Sequence, residues 1–168
     1  MAETEEQLAD LTTHHIEGIA RMGNKPFKVS LFSQIDGNLW TGGCPVDKAP
    51  GHFKYIVSLY PWGMYNHHDH QVYTETALFD SHDGVDEERV RHLAEYVNIC
   101  RAKGPTLVHC QAGLNRSALV AATALILEGM PAAEAIKLMR EKRCDAVLCN
   151  PAFEKWLLSF STSTGKAK

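Results

Sequence analysis

Long apolar runs are scarce in this sequence of 168 residues. The longest, Ala118 to Leu127, is ten residues interrupted by Thr123, whereas a bilayer-spanning helix needs about 20. No membrane span and no membrane partner are expected. Excess positive charge is also lacking: Lys plus Arg number 17 against 20 Asp plus Glu, a formal net charge of -3. No basic field therefore invites nucleic acid or an anionic lipid surface. The five cysteines, at 44, 100, 110, 144 and 149, form no Cys-x-x-Cys pair and no disulfide framework. The opening residues, Met1-Ala-Glu-Thr-Glu-Glu-Gln, are acidic where a secretory leader would be basic and then apolar. What remains is the expectation of a reduced, soluble, cytoplasmic protein, acting as a monomer. With 45% hydrophobic and 22% charged residues, it has the composition of one compact domain and not of a disordered chain.

Periodicity divides the chain into a strand-rich first half and a helical second half. Residues 1–24 read as a helical extension, with Leu8, Leu11, Ile16 and Ile19 roughly on one face. Lys28 to Ile35 and Asn38 to Thr41 flank Asp36-Gly37 as a hairpin. Tyr55 to Tyr60 is apolar on both parities, as in a strand buried on both faces, and Val72 to Phe79 is a further strand. From Asp86, Val90, Leu93, Ala94 and Val97 keep a helical spacing that Gly104-Pro105 stops. Thr106 to His109 is a short buried strand, and Leu114 to Leu127 is apolar nearly all round, the signature of a central helix. Pro131 opens another helix, and Asn150 caps a last one carrying Phe153, Trp156, Leu157 and Phe160. Ser161 to Lys168 reads as a flexible tail.

The chemistry lies at one strand–helix junction, His109-Cys110-Gln111-Ala112-Gly113-Leu114-Asn115-Arg116-Ser117. A short turn feeding a helix aims backbone N–H groups inward, and the helix N-terminus adds positive potential, so the turn is an anion cradle. Gly113 lets the backbone come close. Arg116, six residues after Cys110, can curl back and offer a planar fork of donors to two oxygens of a tetrahedral anion. Such surroundings bring a thiol from about 8.5 to roughly 3.5–7.5, and the thiolate is a strong nucleophile. Cys44, Cys100, Cys144 and Cys149 read as ordinary packing residues, although one of them could pair with an oxidised Cys110.

His-Cys-x-x-Gly-x-x-Arg-Ser resembles the signature of the cysteine-dependent protein tyrosine phosphatases, and the chain length resembles their compact dual-specificity branch. The likeness extends through Leu39-Trp40-Thr41-Gly42-Gly43, Tyr55 to Leu59 and Asn150-Pro151-Ala152-Phe153, over roughly residues 28 to 160. It implies a single α/β domain of the protein-tyrosine-phosphatase type, with a central mixed sheet of about four to five strands flanked by helices. The catalytic domain would run over residues 25–160 between the extension and the tail. The resemblance also implies roles. Cys110 is the nucleophile, and Gln111, Ala112, Gly113, Leu114, Asn115 and Arg116 hold the phosphoryl group. Ser117 assists the sulfur as it leaves, and His109 orders the loop. No metal and no cofactor are implied.

The family places a general acid upstream of the nucleophile, to protonate the leaving oxygen. Phe79-Asp80-Ser-His-Asp83-Gly-Val-Asp86 lies in that region, its aspartates 30, 27 and 24 residues before Cys110. Asp86 is accounted for as a helix N-cap. Asp80 matches the family placement best, and Asp83, before Gly84, is the alternative. His67-His68-Asp69-His70 and His14-His15 read as solvated loop, not metal ligands. Trp40 and Trp62 read as core or loop anchors.

The expected substrate is a phosphorylated protein, with phosphotyrosine and also phosphoserine or phosphothreonine as target. The loop lacks the lysines that the phosphoinositide branch carries, and the charge balance disfavours an RNA 5′ end. Nothing in the sequence marks a long added recognition loop for phosphotyrosine. A phosphatase of a non-protein ester, a non-catalytic phosphate-binding module and a sulfurtransferase are the other readings.

Overall fold

The computed structural model describes residues 15–20 and 24–164. Among them are β1 (His15–Ile19), β2 (Pro26–Ser30), β3 (Phe32–Asp36), β4 (Leu39–Gly42), β5 (Tyr55–Ser58) and β6 (Val72–Glu75). There follow α1 (Glu87–Arg101), β7 (Thr106–His109), α2 (Arg116–Leu127), α3 (Ala132–Lys142) and α4 (Pro151–Thr164). Five strands make one sheet in the order β3-β4-β7-β5-β6. The expected hairpin forms its antiparallel edge, with Gly37 at φ 52° in the turn. Every other pairing in the sheet is parallel, so the sheet is mixed.

Alternation along the strands sorts the core into two layers. Leu39, Val57 and Val108 share a cluster with Val90, Val97, Leu119, Met139 and Leu157, one or more from each helix. Trp40, Ile56 and Leu107 pack on Phe32 and Phe53, so that aromatic rings seal the other face. β7, buried at all four residues, lies at the centre. Behind it α2 is buried from Ser117 to Ile126, as an all-round apolar helix must be. Asp86 caps α1, its Oδ1 accepting from the N–H of Arg89 at 3.2 Å. Asn150 caps α4, its Oδ1 accepting from the N–H of Ala152 at 3.0 Å. No helix among the described residues is long and apolar enough to cross a membrane.

Several expected elements differ. The N-terminal extension is not helical where it is described. Residues 15–19 are strand β1, paired antiparallel with β2 in a separate two-stranded sheet; Leu8 and Leu11 lie outside the described residues. The spacing of Ile16 and Ile19 fits a helix, but cross-strand pairing and the packing of Ile16 against Gly43 override it. Lys28 to Ile35 is two strands, broken at buried Leu31, whose carbonyl accepts from the N–H of Gly43 at 3.0 Å. β6 stops at Glu75, short of Phe79. The last helix runs on to Thr164, so residues 161–164 are not a tail, and residues 165–168 lie outside the description.

Leu119, 1% exposed in the middle of α2, has no room to be replaced. Leu119→Ala is expected to cost about 3 kcal/mol or more, as a shift of the urea unfolding midpoint at unchanged slope.

Candidate active site

β7 delivers the chain to Cys110 at its carboxyl end, and α2 starts at Arg116, so the loop between them lies where strand end and helix N-terminus meet. Gly113 has φ 70°, and a Cβ there would fall 2.3 Å from the carbonyl carbon of Gly42. No other residue fits. The turn brings the N–H of Gly113 to 3.2 Å from Cys110 Sγ, and Ser117 Oγ lies 3.5 Å from the same sulfur. Burial pushes the Cys110 thiol up. The Arg116 charge and the donors of Ser117 and Gly113 outweigh it, and the thiol lies below its ordinary range.

Two braces hold the loop from behind; the sequence pointed to His109 in one of them, but not to its partner Tyr65 nor to Arg143 in the other. Buried Arg143 donates from Nε to Gly113 O at 2.7 Å and from Nη2 to Ala112 O at 3.1 Å. A peptide's N–H and carbonyl point in opposite directions. Drawing these two carbonyls back therefore turns the N–H groups of Gly113 and Leu114 forward, the first of them onto the sulfur. Burial lowers the Arg143 guanidinium to about 10, leaving it charged at neutral pH. As the terminal cation of an amphipathic helix it looks like any surface residue in the sequence.

The second brace runs through His109, which is fully buried. Its Nδ1–H donates to Cys110 O at 3.0 Å, and its Nε2 accepts from the Tyr65 hydroxyl at 2.6 Å. This tautomer follows from the carbonyl's inability to donate. Burial lowers the imidazole to about 4, so it is neutral and bonded at both nitrogens.

Asp80 comes to the loop from the chain beyond β6. Asn115 Nδ2 donates to its Oδ2 at 2.9 Å and Asn150 Nδ2 to its Oδ1 at 2.6 Å. Asn115 Oδ1 in turn accepts from the N–H of Asn150 at 3.0 Å. Asn150 thus caps a helix and fixes a carboxylate at once; only its capping was legible in the sequence. Asp80, Cys110, Gln111, Ala112, Leu114, Asn115 and Arg116 border one cavity of about 170 Å³, with Cys149, Ile19, Ala20 and Phe27. Arg116 stacks over the Tyr60 ring, 5.5 Å from its centroid, and reaches Leu78 O at 3.4 Å. Asp83 faces a different hollow, beside Pro151 and Trp156. Larger grooves exist, such as one of about 510 Å³ between β6 and α1, but it contains no cysteine.

Of the remaining sequence candidates, His67 stacks on Tyr73 and His70 bonds Gly51 O. No group of three metal-ligating side chains gathers among the described residues. Trp40 is packed against Phe53, whereas Trp62 is half exposed against Tyr60 and Phe79.

A family profile described as "Dual specificity phosphatase, catalytic domain" matches residues 47–163. The chain belongs to the dual specificity phosphatase family. It is a cysteine-dependent phosphatase, and the expected fold and reaction class stand. No curated protein matches the sequence. Among solved structures, human DUSP28 is 17% identical with a TM-score of 0.71, over 81% of this chain and 99% of that one. A mouse dual specificity phosphatase crystallised with zinc tungstate is 16% identical with a TM-score of 0.67, over 80% of this chain and 91% of that one. OH1 from the Orf virus, described as a tyrosine phosphatase with triple substrate specificity, is 18% identical with a TM-score of 0.62, over 79% of this chain and 87% of that one. At these identities the likeness is one of fold.

A depressed thiol pKa means that thiolate persists as pH falls through the ordinary cysteine range. Alkylation of Cys110 by iodoacetate, followed against pH, is expected to titrate below a free thiol. Arg116→Ala, which removes the largest of the lowering influences, is expected to move the curve up.

Proposed function

We propose that this dual specificity phosphatase hydrolyses phosphotyrosine in proteins, with phosphoserine and phosphothreonine as poorer substrates, through a cysteinyl-phosphate. One observation carries the reading: sulfur, guanidinium and carboxylate, from Cys110, Arg116 and Asp80, border a single small cavity. At about 170 Å³ the cavity is below the roughly 300–1,000 Å³ of a pocket that swallows a whole small ligand. It suits a phosphoryl headgroup whose carrier stays outside. Among the described residues Arg116 is the one cation bordering it, which favours a single phosphate over the clustered phosphates of an inositol lipid. The formal charge of -3 likewise speaks against RNA.

In the first step the Cys110 thiolate attacks phosphorus. The S–P bond forms as the P–O ester bond breaks, and Asp80, as the carboxylic acid, gives its proton to the departing oxygen. Arg116 and the inward N–H groups of the loop hold the equatorial oxygens, where charge accumulates. In the second step water attacks phosphorus and gives a proton to the Asp80 carboxylate. The S–P bond breaks, inorganic phosphate leaves, and Ser117 donates to the sulfur as it regains its charge. His109 takes no proton in this scheme; neutral and bonded on both nitrogens, it supports the loop. Five free cysteines support action in a reducing, cytoplasmic compartment.

Hydrolysis of an aryl phosphate is expected to vanish in Cys110→Ser. Asp80→Asn is expected to lower kcat by about 10²–10⁴. Asp83→Asn should leave kcat near that of wild type. The reverse pattern would transfer the acid role to Asp83.

A further inference from the structure

The β1–β2 hairpin lies outside residues 47–163, the span of the family match. Yet three of its residues, Ile19, Ala20 and Phe27, border the cavity that contains Cys110, Asp80 and Arg116. Its seating there is fixed. Ala20 is 1% exposed and belongs to the same core cluster as Cys110, and its N–H donates to Lys25 O at 2.9 Å. The Phe27 ring leans over Gly18, its cross-strand partner, with a ring atom 3.3 Å from where a Cβ would stand. Ile16 fills the space over Gly43 so fully that a Cβ there would meet its Cδ1 at 2.3 Å. Arg143, which draws back the loop carbonyls, also donates to Ser30 O at the end of β2 and to Ser33 Oγ, each at 3.0 Å. One cation thus registers the hairpin against the phosphate loop.

We propose that this hairpin is the specificity wall of the site, selecting phosphate esters of an aryl group, as in phosphotyrosine, over alkyl esters such as phosphothreonine. The proposal rests on the phosphatase reading above and narrows its substrate. The residues it turns to the cavity, Ile19, Ala20 and Phe27, are apolar, and among the described residues the cavity's one cation, Arg116, serves the phosphoryl group, so what these three contact is the carbon side of the ester. Ile19 is 68% exposed, an apolar side chain left at the mouth for a substrate to cover. A tyrosine ring holds the peptide backbone away from phosphorus by its own length and presents a flat apolar face to Phe27 and Ile19. The short alkyl linker of phosphothreonine offers no such face and would bring the polar peptide backbone against the hairpin. The sequence did not reveal this element, because residues 15–20 carry helix-like spacing and no distinctive motif.

The test compares kcat/KM for two phosphopeptides identical but for phosphotyrosine or phosphothreonine. The enzymes are wild type, Ile19→Ser and Phe27→Ala, each checked for folding by circular dichroism. Wild type is expected to favour the aryl ester. Each variant is expected to lose about tenfold of that ratio, the effect of one good apolar contact, mainly through KM for the aryl peptide. Taking each ratio relative to wild type cancels the intrinsic difference between the leaving groups. Should Phe27→Ala fail to fold, the exposed position of Ile19 keeps Ile19→Ser decisive. An unchanged ratio in the folded variants, with wild-type turnover intact, would overturn the wall and leave the phosphatase reading standing. Absence of turnover on both peptides by wild type would overturn that reading, and the wall with it.

Discussion

A thiolate only 2% exposed at the foot of a helix is stable only if the peptide groups around it turn their N–H ends inward. In this protein Arg143 makes them do so. It holds the carbonyls of Ala112 and Gly113 on the far side of the loop. The peptide between those residues accepts from Arg143 at one end and donates to the sulfur at the other. The buried guanidinium tolerates its desolvation because its donors meet oxygen acceptors: the two loop carbonyls, Ser30 O and Ser33 Oγ. Removing it would strand those carbonyls and release the loop.

The charges divide into two groups with different duties. Arg116 supplies the positive charge that lowers the thiol, resting against the Tyr60 face and, among the described residues, pairing with no carboxylate. An acidic partner there would compete with phosphate. His109, one residue from the nucleophile, is kept neutral by burial, and its Nε2 is bonded to the Tyr65 hydroxyl. Its low pKa also links loop integrity to pH. The unfolded chain protonates this imidazole near 6.5 and the folded one near 4. Its stabilising contribution is thus complete above about 6.5 and declines as pH falls toward 4.

How much was legible depended on whether the signal was local. The loop from His109 to Ser117 concentrates its chemistry in nine consecutive residues, and the apolar patterns of β7 and α2 on either side fixed its setting. Asp80 was singled out, ahead of Asp83, because it matches the placement of a general acid that the family resemblance implies. Arg143, Asn150 and Tyr65 act on the loop from 30 or more residues away. Each resembles an ordinary helix cation, a cap or a loop aromatic until the chain is folded. β1 failed for a further reason. Its short segment satisfies helical and extended spacing equally, and partner strand β2 decided between them. Breaking Lys28 to Ile35 at Leu31 has the same origin, since two different sheets claim its halves.

The account turns on sulfur attacking phosphorus within the loop. Its most direct test is an acid quench during turnover of an aryl phosphate, followed by peptide mass spectrometry to locate the phosphoryl group. A phosphoryl group on the sulfur of Cys110, formed and consumed at rates compatible with kcat, is the predicted result. Turnover with the phosphoryl group carried on another side chain, or with no covalent species when its breakdown is slowed, would contradict it.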